Sequence, residues 1–564
     1  MANYNPNSDS QSNNPLSNSV PQGVPDILQI GQPLDRQVDV EIETNLLDPV
    51  SHQFASPTGG TTTWVFPAKG VLDNRNAAVV FELNANANNE IGYPFHGGGL
   101  SCIRRATVRC GGVILSQCDN CAQYAQIKTN FNYTPDEKVG ILDARHKSSN
   151  NLELRVAPAP IATGAADPSY HQLYNPECDQ VDTFGKSYVA GAGNQHLQQG
   201  AKQLRTVAGT GPEVVIRLRD MFEFFDQPNR LPLFAMAQVE LVIEWNACGN
   251  SADANGNNII DSAVIQTGPQ PMPANAAGRT NNQAVTMAGT PTLMLDYILY
   301  DEQERQGIQA VINSGQGMQM SFLEVVRTAG ISPQASAATL AAGAGTTEVI
   351  QSNHILGMAG KEVHKIYVRK EYDIKSAQGA VEIDSIRNNV STHRNLLLNQ
   401  FKSSEIIGEQ YNFLINNTRS YDRDISNKAV QHNYLAQCGG DGYNVPGCYF
   451  NTQNYNQNKI QELLDTSWAG AAATTDNAQG RTQRYLAGTQ NLIGLNLAKI
   501  NGLGPVPDNG QRISTAPIEF NYSRVALKQN GAADDMCAAV NLEFFLCYRK
   551  NLIITPTGVV VGDA

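Results

Sequence analysis

The residues best placed to do chemistry are Cys118 and Cys121, two thiols separated by Asp119 and Asn120, with Cys102, Cys110 and His96 upstream. Cysteines at this spacing form half of a structural zinc site, because a tetrahedral ion takes four thiolate or imidazole ligands and usually draws them from two such pairs. No second close pair follows. Cys118 and Cys121 are therefore the candidates for a metal site that the rest of the chain does not complete, and the expectation is ordinary thiols with neither metal nor cofactor. Other chemistries fail in the same way. The nine histidines include no HExxH spacing, and no GxSxG elbow presents a serine. Gly185, Lys186 and Ser187 resemble the close of a phosphate loop, but Gln180 stands where its first glycine belongs, so this segment reads as a turn. The acidic stretch DANGNNIID (253–261) opens like a calcium loop and lacks the glutamate that closes one, leaving Asp253 and Asp261 to solvate a loop. No catalytic or cofactor-binding residue emerges, and the chain does not read as an enzyme.

A formal net charge of −12 argues against a surface that neutralises phosphates over a wide footprint, so no sequence-specific nucleic-acid contact is expected. The one basic cluster is Arg104, Arg105 and Arg109. Arg105, Thr107 and Arg109 alternate with Ala106, Val108 and Cys110, which makes them the wetted face of a strand. There is no basic start with an apolar core as in a signal peptide, and no run of about 18 apolar residues that would span a membrane. The chain is therefore expected to be made and kept in the cytosol, with its ten cysteines reduced. Cys102, Cys110, Cys537 and Cys547 sit within or beside strand patterns, where cysteine acts as a small buried hydrophobe. Four Asn-X-Ser/Thr sequons, beginning at Asn132, Asn389, Asn416 and Asn521, are what an Asn-rich chain contains by chance.

Whatever this chain does must be done by its elements, and these are strands. QVDVEIET (37–44) sets Val38, Val40 and Ile42 against Asp39, Glu41 and Glu43. Val239, Leu241, Ile243 and Trp245 alternate with polar residues, as do Leu293, Leu295, Tyr297 and Leu299. Strands are also expected over 61–67, 78–83, 102–110, 112–117 and 212–218, with Gly111 and Gly112 as a tight hairpin turn. Asp301 and Glu304 form a capping box that opens a helix carrying Ile308, Val311 and Ile312. Beyond it, 361–374, 380–386, 410–416, 516–523 and 540–548 are candidate strands; in the last, Val540, Leu542, Phe544, Leu546 and Tyr548 share a face. At 564 residues with 41% hydrophobic and 16% charged residues, the chain supports two cores joined by turns and long polar loops. The expected organisation is a disordered N-terminal arm at 1–25, too poor in apolar residues to pack a core; a first domain at 26–300; a connecting helix or hinge at 301–315; a second domain at 316–556; and a C-terminal tail at 557–564. Stretch 247–290 and most of 421–515 lack apolar periodicity and read as loops from one end of a sandwich.

Several segments together resemble one family. They are IRLRDMFEFFDQPNRLPLFAMAQVELVIEW (216–245), LMLDYILYDEQER (293–305), APIEFNYSRVALKQ (516–529), AVNLEFFLCYRKNLII (539–554), WVFPAKGVLD (64–73) and GGGLSCIRRATVRCGGVIL (97–115). They are similar to the double jelly-roll major capsid proteins of eukaryotic DNA viruses, most of all those of polinton-like viruses and virophages. The resemblance implies an all-β chain of two tandem eight-stranded jelly rolls with long loop insertions and a short connecting helix. It also implies a homotrimeric, pseudo-hexameric capsomer in the icosahedral shell of a double-stranded DNA virus, assembled inside the host cell. The partners it implies are neighbouring capsomers with penton and minor or cement capsid proteins, and the long loops would form the outward tower. The rival is a carbohydrate-binding or glycan-processing protein on tandem jelly rolls, which would need paired carboxylates and aromatic platforms; Trp64, Trp245 and Trp468 are the only tryptophans.

Overall fold

A computed structural model describes residues 24–25, 28, 39–54, 59–84, 90–94, 98–119, 121–132, 152–158, 197–206, 213–227, 229–245, 251–252, 258–259, 265–267, 286–315, 317–343, 345–373, 406, 408–438, 492–498, 510–528 and 537–563. The 380–386 segment, Trp468, Asp253 and Asp261, the Gly185 turn and most of the N-terminal arm lie outside them. In the first half, period-two patterns become β1 (Val40–Leu47), β2 (Gly60–Phe66), β3 (Ala78–Asn84), β4 (Ile103–Cys110), β5 (Val113–Asp119), β6 (Glu213–Arg217), β7 (Val239–Trp245) and β8 (Thr292–Tyr300). One sheet runs β1-β8-β3-β6 and the facing one runs β2-β7-β4-β5, all antiparallel.

Helix α1 (Cys121–Asn132) follows β5, and helix α2 (Glu302–Asn313) follows β8. Asp301 caps α2 by accepting from the Glu304 N–H at 2.9 Å, and Ile308 and Ile312 are buried beneath it. The second half then repeats the first, with β9 (Met318–Ser332), β10 (Thr347–Gly357), β11 (Glu362–Asp373), β12 (Gln410–Ile415), β13 (Thr418–Arg419), β14 (Ile493–Asn496), β15 (Ile518–Leu527) and β16 (Ala539–Thr555). Its sheets run β9-β16-β11-β14 and β10-β15-β12-β13. Numbering each half from one to eight, both have the orders 1-8-3-6 and 2-7-4-5, which is the jelly-roll arrangement twice over; the sheets face one another without closing into a barrel. Strand β17 (Gly558–Asp563) folds back along the end of β16.

The repetition extends to the turns. Gly111 and Gly112 join β4 to β5 with φ of 55° and 88°, and Asn416 and Asn417 join β12 to β13 with φ of 52° and 62°. Such left-handed pairs match the twist of the strands they connect, and Gly and Asn adopt them at least cost. The long connections behave oppositely. Glu90–Pro94 lies between β3 and β4, Leu152–Pro158 and Leu197–Thr206 between β5 and β6, and Ile265–Thr267 between β7 and β8, yet these pieces hydrogen-bond as one four-stranded sheet. Connections after odd-numbered strands leave from the same end of an antiparallel sandwich, so three insertions meet there.

Trp245 anchors the first core, edge-on to Phe54 and Phe81 at 5.7 and 5.2 Å, with its Nε1–H donated to Thr62 Oγ1 at 2.8 Å. Phe520 anchors the second against Phe413 and Phe544. β16 departs from its expected alternation: Phe545 and Cys547 on the outer face are buried as fully as Phe544 and Leu546 on the inner one. The reason is tertiary. Phe545 packs on Tyr124 of α1 at 6.1 Å, and Phe322 of β9 meets Phe224 at 4.9 Å, so one apolar cluster runs from the first half into the second.

Candidate assembly surface

Cys118 ends β5 and Cys121 opens α1; both are buried, and Cys121 Sγ donates to the Cys118 carbonyl at 3.2 Å. Cys121 and burial together hold the Cys118 thiol well above its usual range, and burial pushes Cys110 up to about 11 and Cys547 up to about 12. Among the described residues no three His, Cys, Asp or Glu side chains gather as a ligand set, and no disulfide joins the seven described cysteines to one another. Both thiols are packed into the core cluster. The Arg105–Arg109 face carries Arg105 against Asp119 at 2.5 Å and Glu244 at 3.6 Å, and Arg109 against Glu240 at 2.5 Å, so these guanidinium groups are matched within their own sheet. Ala106, Val108 and Cys110 are buried behind them. Trp64 and Trp245 are buried core residues and offer no platform to a sugar.

The unexpected feature is β1. The strand forms where its alternation places it, but its apolar residues point outward: Val40, Ile42 and Leu46 are 51%, 69% and 67% exposed. The register explains this. β1 pairs with β8 so that Glu43 opposes Tyr297, Asn45 opposes Leu295 and Leu47 opposes Leu293, which are the core-facing residues of β8. Opposed residues share a face, so Glu43 and Asn45 lie on the core side, at the rim. Lys69 makes that tolerable, reaching Glu43 at 2.6 Å and Asn45 at 3.1 Å while lying 5.5 Å from the Tyr297 ring centre. The Lys69 hydrogen bond holds the Glu43 carboxyl below its usual range. The opposite face joins Val40, Ile42 and Leu46 to Tyr300, Ile298 and Met294 of β8.

The second half has a counterpart. On β10, Val349 and Ile355 are 64% and 66% exposed, while Ile350 and Leu356 fill the core side. β1 and β10 each pair with one neighbour and end their sheets. Soluble proteins usually guard such edges with lysine, proline or bulges. Among the described residues β1 carries its large aliphatics in outward alternation and lacks those guards, whereas β10 has an irregularity between Ile355 and Gly357 and sets Gln351 and Asn353 between its two exposed aliphatics. The pattern could not be read from β1 alone, because alternation says that one face is apolar and the partner register decides which way it looks.

No protein-family model matches the sequence, and no curated protein matches it. Solved structures do. The Sputnik virophage structure aligns over 94% of this chain and 90% of its own with a TM-score of 0.51 at 12% identity. PBCV-1 VP54, fitted into a reconstruction of Sputnik, aligns over 94% and 99% with a TM-score of 0.50 at 10% identity. A chain of the PBCV-1 virus capsid gives 94% and 99%, 0.50 and 11%. Over most of its length, this chain has the double jelly-roll fold of viral major capsid proteins.

Proposed function

We propose that this chain is a major capsid protein that associates as a homotrimer with a pseudo-hexameric outline and tiles the icosahedral shell of a double-stranded DNA virus of the polinton-like or virophage type. The observation that carries the reading is the outward apolar stripe on the unguarded edge strand β1, joined in the other half by exposed Val349 and Ile355 on the edge strand β10. A patch of this kind on a soluble chain calls for a partner. Two different patches on one subunit suit a head-to-tail contact that closes into a ring, the first half of one copy meeting the second half of the next. The division that goes with this reading is a first jelly roll at 26–300, a connecting helix at 301–315 and a second jelly roll at 316–556, with 1–25 as an arm that is tied to the first core at Val24 and reaches a neighbour beyond it. The insertions gathered at one end would form the outer tower. Penton and minor capsid proteins would meet the remaining walls, and the protein would work in the virion without enzymatic activity, with Cys118 and Cys121 remaining thiols. The rival glycan reading lacks its platforms at Trp64 and Trp245. Imaging the purified chain tests the proposal together with its mass fraction in virions: three-fold particles and a dominant share are expected, and monomers or a trace share would refute it.

A further inference from the structure

Between the two jelly rolls lies a small cleft of mixed lining, about 10 Å³ or room for about one water, where Gln117 and Cys118 of β5 and Glu223 face Glu324 and Arg327 of the second half. Glu324 is the group that crosses it. Its Oε1 accepts the Gln117 backbone N–H at 3.0 Å, the hydrogen bond that ties β9 to β5. Its Oε2 is buried without a hydrogen-bond partner, and the residue as a whole is 3% exposed. The acid and base groups around it are already committed. Asp119 is paired with Arg105, and Arg327 with Glu543. Glu223 accepts the Tyr124 hydroxyl at 2.5 Å and faces Lys128 at 3.2 Å. Cys118 and Tyr548 are held protonated, and Lys550 supplies the positive charge that most opposes burial at Glu324.

We propose that Glu324 is a proton-dependent latch between the two jelly rolls: the protonated carboxyl holds β9 closed on β5, and the ionised form favours an open junction in which water reaches the cleft. The geometry sets the direction. A closed cleft gives the ionised form only the Gln117 N–H and the Ser116 hydroxyl and places it near Glu223, whereas an opened one hydrates it fully. Burial, with only partial opposition from Lys550, the Gln117 N–H and Ser116, raises the carboxyl to about 7. An opened side chain returns to the ordinary value of 4.5. Opening is then disfavoured below about pH 4.5, rises roughly tenfold per pH unit between these values, and levels off above about 7.

The latch is independent of the proposed shell function and is tested on the isolated full chain. Hydrogen exchange, corrected for the intrinsic pH dependence, is followed over 113–119 and 318–327 from pH 5 to 8. The expected result is protection that falls roughly tenfold per unit from pH 5 to 7 and then stays level, while 518–527 on the far sheet does not follow. Glu324→Gln removes the ionisation and flattens the slope. A flat wild-type profile overturns the latch whether or not the variant folds, and so does a slope that survives in Glu324→Gln.

Discussion

The outward stripe of β1 makes a quantitative prediction for the double variant Ile42→Glu/Leu46→Glu. Full burial of an aliphatic side chain stabilises by about 1.5–3 kcal/mol. Ile42 and Leu46 have about two-thirds of their surface still to lose, so covering both contributes about 2–4 kcal/mol to each contact between copies. Two carboxylates forfeit that and add the cost of being desolvated against a neighbour, so the loss is about 3 kcal/mol or more, at least ~100-fold in association. The isolated subunit barely notices, since exposed positions away from caps and turns change stability by about 0.5 kcal/mol or less. Leu241→Glu on β7 is the contrast: Leu241 is fully buried, and an unpaired charge there removes the folded state altogether. Sedimentation velocity and a thermal melt on the same samples separate the two. The double variant should sediment as a monomer with its melting temperature within about 2 °C of wild type. Wild-type association of the double variant, or its unfolding, would refute the argument that β1 faces a neighbour.

Other outcomes follow from the interior. Glu409 is buried among Lys370 at 2.6 Å, Lys428 at 3.1 Å and the Tyr522 hydroxyl at 3.0 Å; Lys370→Ala strands it and should cost about 3–5 kcal/mol in urea unfolding. Burial works to raise the Glu409 and Glu543 carboxyls, but Lys370 with Lys428, and Arg369 with Arg327, outweigh it and hold both below 4.5. Their stabilisation is thus present above that value and lost as pH falls beneath it, so an acid melt should show the second jelly roll destabilised, and Glu543→Gln should shrink the effect. Cys118→Ser with Cys121→Ser should cost about 1–3 kcal/mol, because hydroxyls replace thiols in a packed core, with no zinc found by elemental analysis in wild type or variant. Deleting 1–23 should spare the folded subunit and weaken assembly. Extending the deletion through Leu28 should lower the melting temperature, because Val24 and Leu28 belong to the first core and Leu28 accepts the Arg230 N–H at 2.7 Å.

Most of the first jelly roll was legible because its strands are half-buried, and period two follows directly from one wet face. β9 and β10 were missed for the opposite reason. In MQMSFLEVVRTAGIS the alternation is broken by Val325 and Val326, which lie side by side where the strand passes from the junction to the second core. In TEVIQSNHILG the aliphatics Val349 and Ile350 fall on opposite faces, one exposed and one buried. Helix α1 was missed because its apolar residues serve the junction, not a simple amphipathic face: Tyr124 reaches Phe545 and Cys547, and Lys128 is buried against Asp226 at 2.9 Å. The cysteine pair was seen and its surroundings were not, since burial at a domain junction leaves no local trace. Glu324 is equally silent in sequence; only its position across from Gln117 gives it a role.

The two-residue turns Gly111–Gly112 and Asn416–Asn417 stand opposite connections such as 120–212 and 420–492, and this gives each half a fixed pole and a free one. At the fixed pole, one extra residue would shift a hairpin register and turn every following side chain to the wrong face. At the free pole, each doubling of a flexible loop costs only about 0.6 kcal/mol in closure entropy. Lineages carrying this chain can therefore remodel what they present at one end, by insertion, deletion or hypervariation, while the same sixteen strands keep their pairings. The same asymmetry marks the free pole as the place to graft a foreign peptide for display.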